Sequence, residues 1–302
     1  MVDRESMVVY HKVLIEQNQG HETRQEIFEA VESKIGRPLV TFFTSFRFPV
    51  MIEDPDVDML EGVLQKMDLS KGLALFINSP GGDGVAAERI INVCRNYSKT
   101  GEYWAIVQGK AKSAATMICF GASKILMGAT AELGPIDPQV AYPDDRGSYR
   151  RCSVYSIIKS YENLFARSVK EKGNLDPYLL QLHRYDEREI EQFRGAISLS
   201  EDIAVRSLES GMMKGATKRQ IKQRIQMFLT PERTKTHSRP IYMDEARSCT
   251  LNVEVIAKDT DLRKLLYELY IRTNNFVSSK VQKCIESKVH SFALNVPEST
   301  VR

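Results

Sequence analysis

Two short stretches of this chain hold residue types that could carry out acyl transfer. One is Ser79-Pro80-Gly81-Gly82, and the other is Ser113, set in the run GKAKSAAT at 109–116. Hydrolysis through a covalent intermediate needs a nucleophile, a base beside it, and donors aimed at the oxygen that turns negative in the tetrahedral intermediate. At 79–82 the apolar run LALFIN ends in a turn whose two glycines reach dihedrals that other residues resist, and a helical run begins directly afterwards. Amides in such a turn can face a ligand oxygen, aided by the positive end of the helix. Ser113 stands where the next apolar run, WAIVQ, gives way to the next helical run. If those two runs are neighbouring strands of a parallel sheet, their C-terminal ends converge at the edge where such sheets bind ligands. Alone, Pro-Gly-Gly reads as a tight turn and Ser113 as a helix N-cap. Only their pairing favours chemistry.

The elements that must position them are legible from periodicity. Residues 1–36 repeat apolar positions (Ile15, Ile27, Val31, Ile35) at helical spacing and stop at Gly36-Arg37-Pro38, which predicts an N-terminal helical arm over 1–38. LVTFFTSF reads as a strand, and Val57, Leu60, Val63, Leu64 and Met67 as one face of a helix. LALFIN, the helix VAAERIINVCRNY, the strand WAIVQ, the turn GKAK, the helix SAATMICFGA, the strand KILMG and the loop ATAELGPIDPQ follow. Strands alternating with helices at this spacing predict a mainly parallel α/β core over about 39–140. DDRGSYRR (144–151) reads as an exposed loop and 152–229 as helical. The pattern breaks over 230–256, and 262–285 reads as one more long helix. No internal repeat or low-complexity tract is present.

Composition narrows the partners. The chain has 302 residues, 42 Lys and Arg against 39 Asp and Glu, and a net charge of +3, so no basic face of the kind nucleic-acid binders need is implied. Five cysteines, Cys94, Cys119, Cys152, Cys249 and Cys284, lie far apart without metal-ligand spacing, which fits a reducing, cytoplasmic setting. The first residues lack the unbroken apolar core of a signal peptide. No window approaches the roughly 18 apolar residues of a membrane span, so any membrane association would be peripheral. The chemistry requires no cofactor and no metal.

INSPGG (77–82) followed by GKAKSAATMICFGASKILMGATAELGPIDPQ resembles the superfamily of the Clp protease proteolytic subunit and signal peptide peptidase A. Within it the sequence is most similar to the serine dehydrogenase proteinases. Their pattern joins a Ser-Pro-Gly-Gly turn, a lysine four residues before a serine, a threonine three after it, and Leu-Gly-Pro-Ile/Val-Asp-Pro-Gln. Here those are Ser79–Gly82, Lys110, Ser113, Thr116 and Leu133–Gln139, with Lys110 three rather than four residues ahead. His237-Ser238-Arg239-Pro240-Ile241 is similar to a His-x-x-Pro-Ile segment of the same family, so the likeness covers about 37–255.

This resemblance implies a Clp-protease/crotonase-like spiral core over 39–255, with helical extensions at 1–38 and 256–302. It implies Ser113 as nucleophile, Gly81 and Gly82 as the oxyanion turn, and the Ala114 N–H as second oxyanion donor. The base is left open. Clp subunits place a histidine after the nucleophile's helix, but residues 126–139 contain none. Signal peptide peptidases use a downstream lysine that burial must deprotonate, and Lys159 is the candidate for that role. His237 is the rival base, and Asp137 could orient a base or brace its own loop.

The implied activity is serine peptidase action on polypeptides, without ATP of its own. The alternatives are a silent scaffold or peptide-binding module of the same fold, and the enolate chemistry of the crotonase branch, for which no acidic pair stands near the glycines. Relatives of this kind form rings, which implies a homo-oligomer. Light scattering should then report a particle several times the 34.3 kDa chain mass, and a concentration-independent monomer would reject that expectation.

Overall fold

The computed structural model describes residues 20–47, 50–143, 149–279 and 281–295. Helix α1 (Glu22–Ile35) leads into strand β1 (Leu39–Thr44), helix α2 (Pro55–Leu64), strand β2 (Leu73–Asn78), helix α3 (Gly84–Tyr97) and strand β3 (Tyr103–Val107). A two-residue strand β4 (Lys110–Ala111), helix α4 (Ala114–Gly121), strand β5 (Lys124–Met127) and the short β6 (Glu132–Leu133) complete the part that carries the motifs. A hairpin β7 (Gln139–Pro143) and β8 (Tyr149–Ser153) precedes α5 (Val154–Lys170), α6 (Asp176–Leu182) and α7 (Glu187–Glu209). Four short helices, α8 (Lys218–Arg224), α9 (Gln226–Leu229), α10 (Pro231–Thr234) and α11 (Met243–Ser248), lead to β9 (Val253–Val255), α12 (Asp261–Ser279), β10 (Val281–Glu286) and β11 (Ser291–Asn295).

One seven-stranded sheet, in the order β11-β10-β1-β2-β3-β5-β9, forms the middle layer. From β1 to β9 the neighbours pair in parallel, while β10 and β11 join antiparallel at the β1 side. The strands are apolar at successive positions because both faces are covered. Val40, Phe42, Leu75, Ile77 and Val107 point into one core, and Leu39, Phe43, Phe76 and Ile106 into the other. Helices α2, α3 and α4 all cover the first face, through Val57, Leu60, Ile90 and Ile118. Every residue of α4 is buried, which explains why SAATMICFGA is apolar all round rather than on one stripe. The chain is thus a mixed α/β protein around a mostly parallel sheet.

The terminal segments behave differently from the sequence expectation. Of the expected N-terminal arm, residues 1–19 lie outside the described residues, and α1 packs with α12 on the second face of the sheet through Phe28, Val31, Leu266 and Leu269. The long helix expected over 262–285 ends at Ser279, and Val281–Glu286 is a strand beside β1. Val277, Val281, Cys284 and Ile285 keep helical spacing, but a strand buried on both faces can be apolar at the same positions. The segment 256–302 is therefore not purely helical, because it supplies two strands to the sheet. The loop expected at 144–151 is a hairpin strand from Tyr149 onward, and residues 144–148 lie outside the described residues. No helix among the described residues is long and apolar enough to cross a membrane. Beyond the sheet, the β7–β8 hairpin, α5 and the first half of α7 share a small core of Val154, Ile158, Ile190 and Phe193.

A fully buried ion pair ties α1 to β10. Arg24 donates through Nε and Nη2 to the two carboxylate oxygens of Glu286, at 2.8 and 2.6 Å, and its guanidinium lies 4.6 Å from the centre of the Phe276 ring. Burial by itself would push the Glu286 carboxyl up, but the hydrogen bonds and charge of Arg24 hold it below the ordinary glutamate value of 4.5. A depressed folded value means that the pair's stabilisation is complete above the unfolded value and is lost as pH falls through the folded one. Arg24→Ala strands a buried carboxylate and should cost about 3–5 kcal/mol, read as a lowered urea midpoint at neutral pH, with the gap to the parent chain closing in acid.

Candidate active site

The two motif corners meet. Ser79 N–H donates to Lys110 O (2.9 Å) and Lys112 N–H donates to Ser79 O (3.0 Å), so the extension of β2 runs beside β4 and both chains turn away together. A Cβ built on Gly81 would lie 2.6 Å from both Lys112 O and Ser113 Cβ, and 3.1 Å from the Ala114 nitrogen. Gly81 also has φ +103°, where an L side chain is strained. Only glycine lets the turn come this close to the serine.

Ser113 itself is strained, with φ 51° and ψ −120°. Holding a non-glycine residue there costs on the order of 1–3 kcal/mol, and such outliers gather at active sites. Although it stands at the N-cap position, the Ser113 side chain makes no capping hydrogen bond to α4. Its N-cap reading therefore fails. Ser113, Gly81, Gly82 and His237 line one cleft of about 820 Å³, with Met117, Ile136, Leu199 and Ile203 among its apolar walls.

The amides of the turn are disposed unequally. Gly81 N–H donates to Ser79 Oγ at 3.1 Å, and that oxygen also accepts from the Thr44 hydroxyl at 2.7 Å. Gly82 is bracketed by bonds of its neighbours: Ile52 N–H donates to Gly81 O and Asp83 N–H to Ile52 O, both at 2.9 Å. Among the described residues the N–H groups of Gly82 and of Ala114, in the first turn of α4, have no backbone acceptor.

His237 and Asp137, separated by 100 positions, form a pair with His237 Nδ1 2.9 Å from Asp137 Oδ1. Leu133 and Ile241 bring them together by exchanging two backbone hydrogen bonds of 3.0 Å, which lays 237–241 against the loop after β6. Asp137 is 2% exposed and stands behind the histidine. Its Oδ2 is buried without a hydrogen-bond partner among the described residues, an unusual state for a carboxylate oxygen. The loop is braced at Ile136, whose N–H donates to Phe228 O (2.8 Å) and whose carbonyl accepts the Ser200 hydroxyl (2.7 Å).

Thr116 explains why a threonine sits three residues past the serine. Its hydroxyl donates to Ala111 O at 2.7 Å, with Gly134 O at 3.0 Å, and accepts Gly134 N–H at 3.0 Å. One side chain thus locks the helix after Ser113 to the loop that carries Asp137.

The lysines fall elsewhere. Lys159 is half exposed and ion-paired with Glu232, whose hydrogen bond raises the ammonium above its ordinary value. A lysine base needs the opposite shift, and Lys159 is not among the cleft residues, so the structure does not bring it to Ser113. Lys110 is exposed, 3.7 Å from Glu132. Lys112, not singled out from sequence, is mostly buried, and burial pushes its ammonium below the ordinary value while Glu132 opposes the shift. Its Nζ is turned to Glu132 (3.2 Å) and to Leu133 O (3.1 Å), away from the cleft. The cysteines are free, and burial pushes Cys94 up to about 12 and raises Cys119 as well, so neither thiol rivals Ser113.

Residues 39–284 match the ClpP-like SDH-type serine proteinases, and the chain belongs to that family. A relative in Methanocaldococcus jannaschii, the uncharacterised protein MJ0137, is 28% identical over 200 residues, which is 66% of this chain and 57% of that protein. The chain therefore spans little more than half the length of this relative. Among solved structures, a serine-to-alanine mutant of the 1510-N membrane-bound stomatin-specific protease is 17% identical, covering 68% of this chain and 93% of that one at a TM-score of 0.30. A lysine-to-alanine mutant of the same protease, in complex with a substrate peptide, is 14% identical, covering 77% and 98% at a TM-score of 0.32.

The glycine contact yields a direct test. Gly81→Ala should destabilise the fold by about 1–3 kcal/mol in urea unfolding, from strain plus displacement of Ser113, whereas Gly101→Ala, with φ +71° but nothing within 4 Å, should cost only the strain.

Proposed function

We propose that the chain is a serine peptidase in which Ser113 is the nucleophile, His237 the general base and Asp137 the residue that orients it. The observation that carries this reading is the His237–Asp137 pair, whose imidazole lines the same cleft as Ser113 and Gly81. With the Nδ1 proton held by Asp137, Nε2 is the acceptor that takes the Ser113 proton as Oγ attacks a peptide carbonyl. The carbonyl oxygen becomes negative and is received by the amides of Gly82 and Ala114, with Gly81 sharing its N–H between Ser79 and the substrate. His237 then protonates the leaving amine, and water repeats the sequence on the acyl-enzyme.

In chain order the three residues run Ser, Asp, His, unlike the order of the Clp subunits. Triads are defined by roles and geometry, and several orders serve the same chemistry. The scaffold alternative drew its support from the absence of a histidine after α4, and His237 supplies one from a distant segment. The substrate is a polypeptide by the nature of the family, and the strained serine, the buried Asp137 oxygen and the open cleft all favour catalysis over a silent site.

The test combines fluorophosphonate labelling with cleavage of an unfolded protein. Ser113→Ala should abolish labelling, and both it and His237→Ala should lower turnover by at least about 10³-fold. Asp137→Asn should lower it by about 10²–10⁴-fold, and Lys159→Ala should leave it unchanged. A parent chain that is folded, unlabelled and no more active than Ser113→Ala overturns the peptidase reading. Retained turnover in His237→Ala overturns only the choice of base.

A further inference from the structure

The antiparallel strand β10 reaches the cleft by a route that the mechanism does not use. Lys283, in the middle of β10, is 2% exposed, and its ammonium donates to both oxygens of Asp56, at 2.8 and 2.9 Å, and to the backbone oxygen of Met51 at 2.9 Å. Asp56 Oδ2 also accepts Glu53 N–H at 2.8 Å, so the carboxylate and the ammonium together clamp 51–53 from both sides. The clamped segment contains Ile52, whose N–H and C=O are bonded to Gly81 and Asp83. The fit there is as tight as backbone allows: a Cβ on Gly82 would lie 2.3 Å from both the nitrogen and the oxygen of Ile52.

A buried ion pair is a poor device for stability alone, because an apolar pair of similar volume commonly does as well. What an apolar pair cannot do is fix the position of a carbonyl. The lysine has three donors, all of them spent here on 51–56. Arginine would fill the volume with a planar fork that cannot reproduce that arrangement. The same strand carries a comparison: Glu286, three positions on, faces the opposite layer and pairs with Arg24 of α1, remote from the turn.

We propose that Lys283 is a positioning residue for the oxyanion turn, holding the Gly81–Gly82 amides in place through the Met51 carbonyl and the Ile52 backbone. The proposal rests on the reading of Ser113 as nucleophile and of those amides as its oxyanion donors. It makes β10, which sequence reasoning assigned to a helix outside the hydrolase domain, part of what sets the rate.

Two variants test it: Lys283→Arg, and Lys283→Met combined with Asp56→Asn, which leaves no unpaired charge. The readouts are the fluorophosphonate labelling rate, kcat and KM on a peptide substrate, and the urea midpoint. The control is Arg24→Met combined with Glu286→Gln. Both Lys283 variants should fold, keep KM, and lose on the order of tenfold to a hundredfold in kcat and labelling rate together, as expected when oxyanion donors are misplaced. The control should shift the midpoint and leave kcat intact. Wild-type kcat and labelling in the folded Lys283 variants, or failure of both to fold, makes the pair structural and overturns the proposal. Failure of the underlying peptidase reading is distinguishable, because then the parent chain is itself unlabelled and Ser113→Ala changes nothing.

Discussion

The site depends on a contact that has no room for a side chain. The turn at Gly81 approaches the serine corner so closely that one added carbon would meet Ser113 Cβ at 2.6 Å, and the turn at Gly82 lies equally tight on Ile52. Both approaches are enforced by ladder hydrogen bonds, through Ser79 with Lys110 and Lys112 on one side and through Ile52 on the other. The turn is therefore a third strand caught between two, and its amides have little freedom to relax. Donors fixed before the reaction need no reorganisation during it.

Around that contact the chain assembles its parts from long sequence distances. α4 and the 133–138 loop are joined by Thr116, and the 237–241 segment by the Leu133–Ile241 exchange. Ser113, Asp137 and His237 each sit on a different segment, and the segments are tied by the Thr116 hydroxyl, the Leu133–Ile241 exchange and the His237–Asp137 pair. Asp137 Oδ2 is buried without a hydrogen-bond partner among the described residues, and the backbone of Ser113 is strained.

Much of this was legible in the sequence where the signal is local. LALFIN, WAIVQ and KILM are strands because continuous apolar runs of that length, ending at glycine or polar turns, suit a sheet covered on both sides. The meeting of Gly81 with Ser113 followed from placing two such strands side by side. Ser113 was ambiguous because a capping serine and a nucleophile occupy the same position, and spacing does not encode its strained dihedrals or its missing cap bond. Which of Lys159 and His237 lines the cleft was not legible for a related reason. Lys159 is exposed because its stretch of α5 lies at the surface beside Glu232, and His237 is in the cleft because of a two-bond exchange 100 positions from its partner's loop. The β10 strand was misread because buried strands and amphipathic helices can share apolar positions, and Lys283 gave no hint that its charge is buried.

The closure of α1 against β10 has a consequence for how the molecule comes into being. Arg24 and Glu286 are 262 positions apart, and β1, the neighbour of β10, is laid down among the first elements of the sheet. During synthesis the open side of β1 and the charged end of Arg24 must wait, uncovered, until the 262 positions that separate Arg24 from Glu286 have been made. Such a topology folds slowly and exposes a bare strand edge meanwhile. The strand that covers the edge of β1 is thus also the one that carries Lys283, so closing the sheet and clamping the 51–56 segment are the work of a single strand.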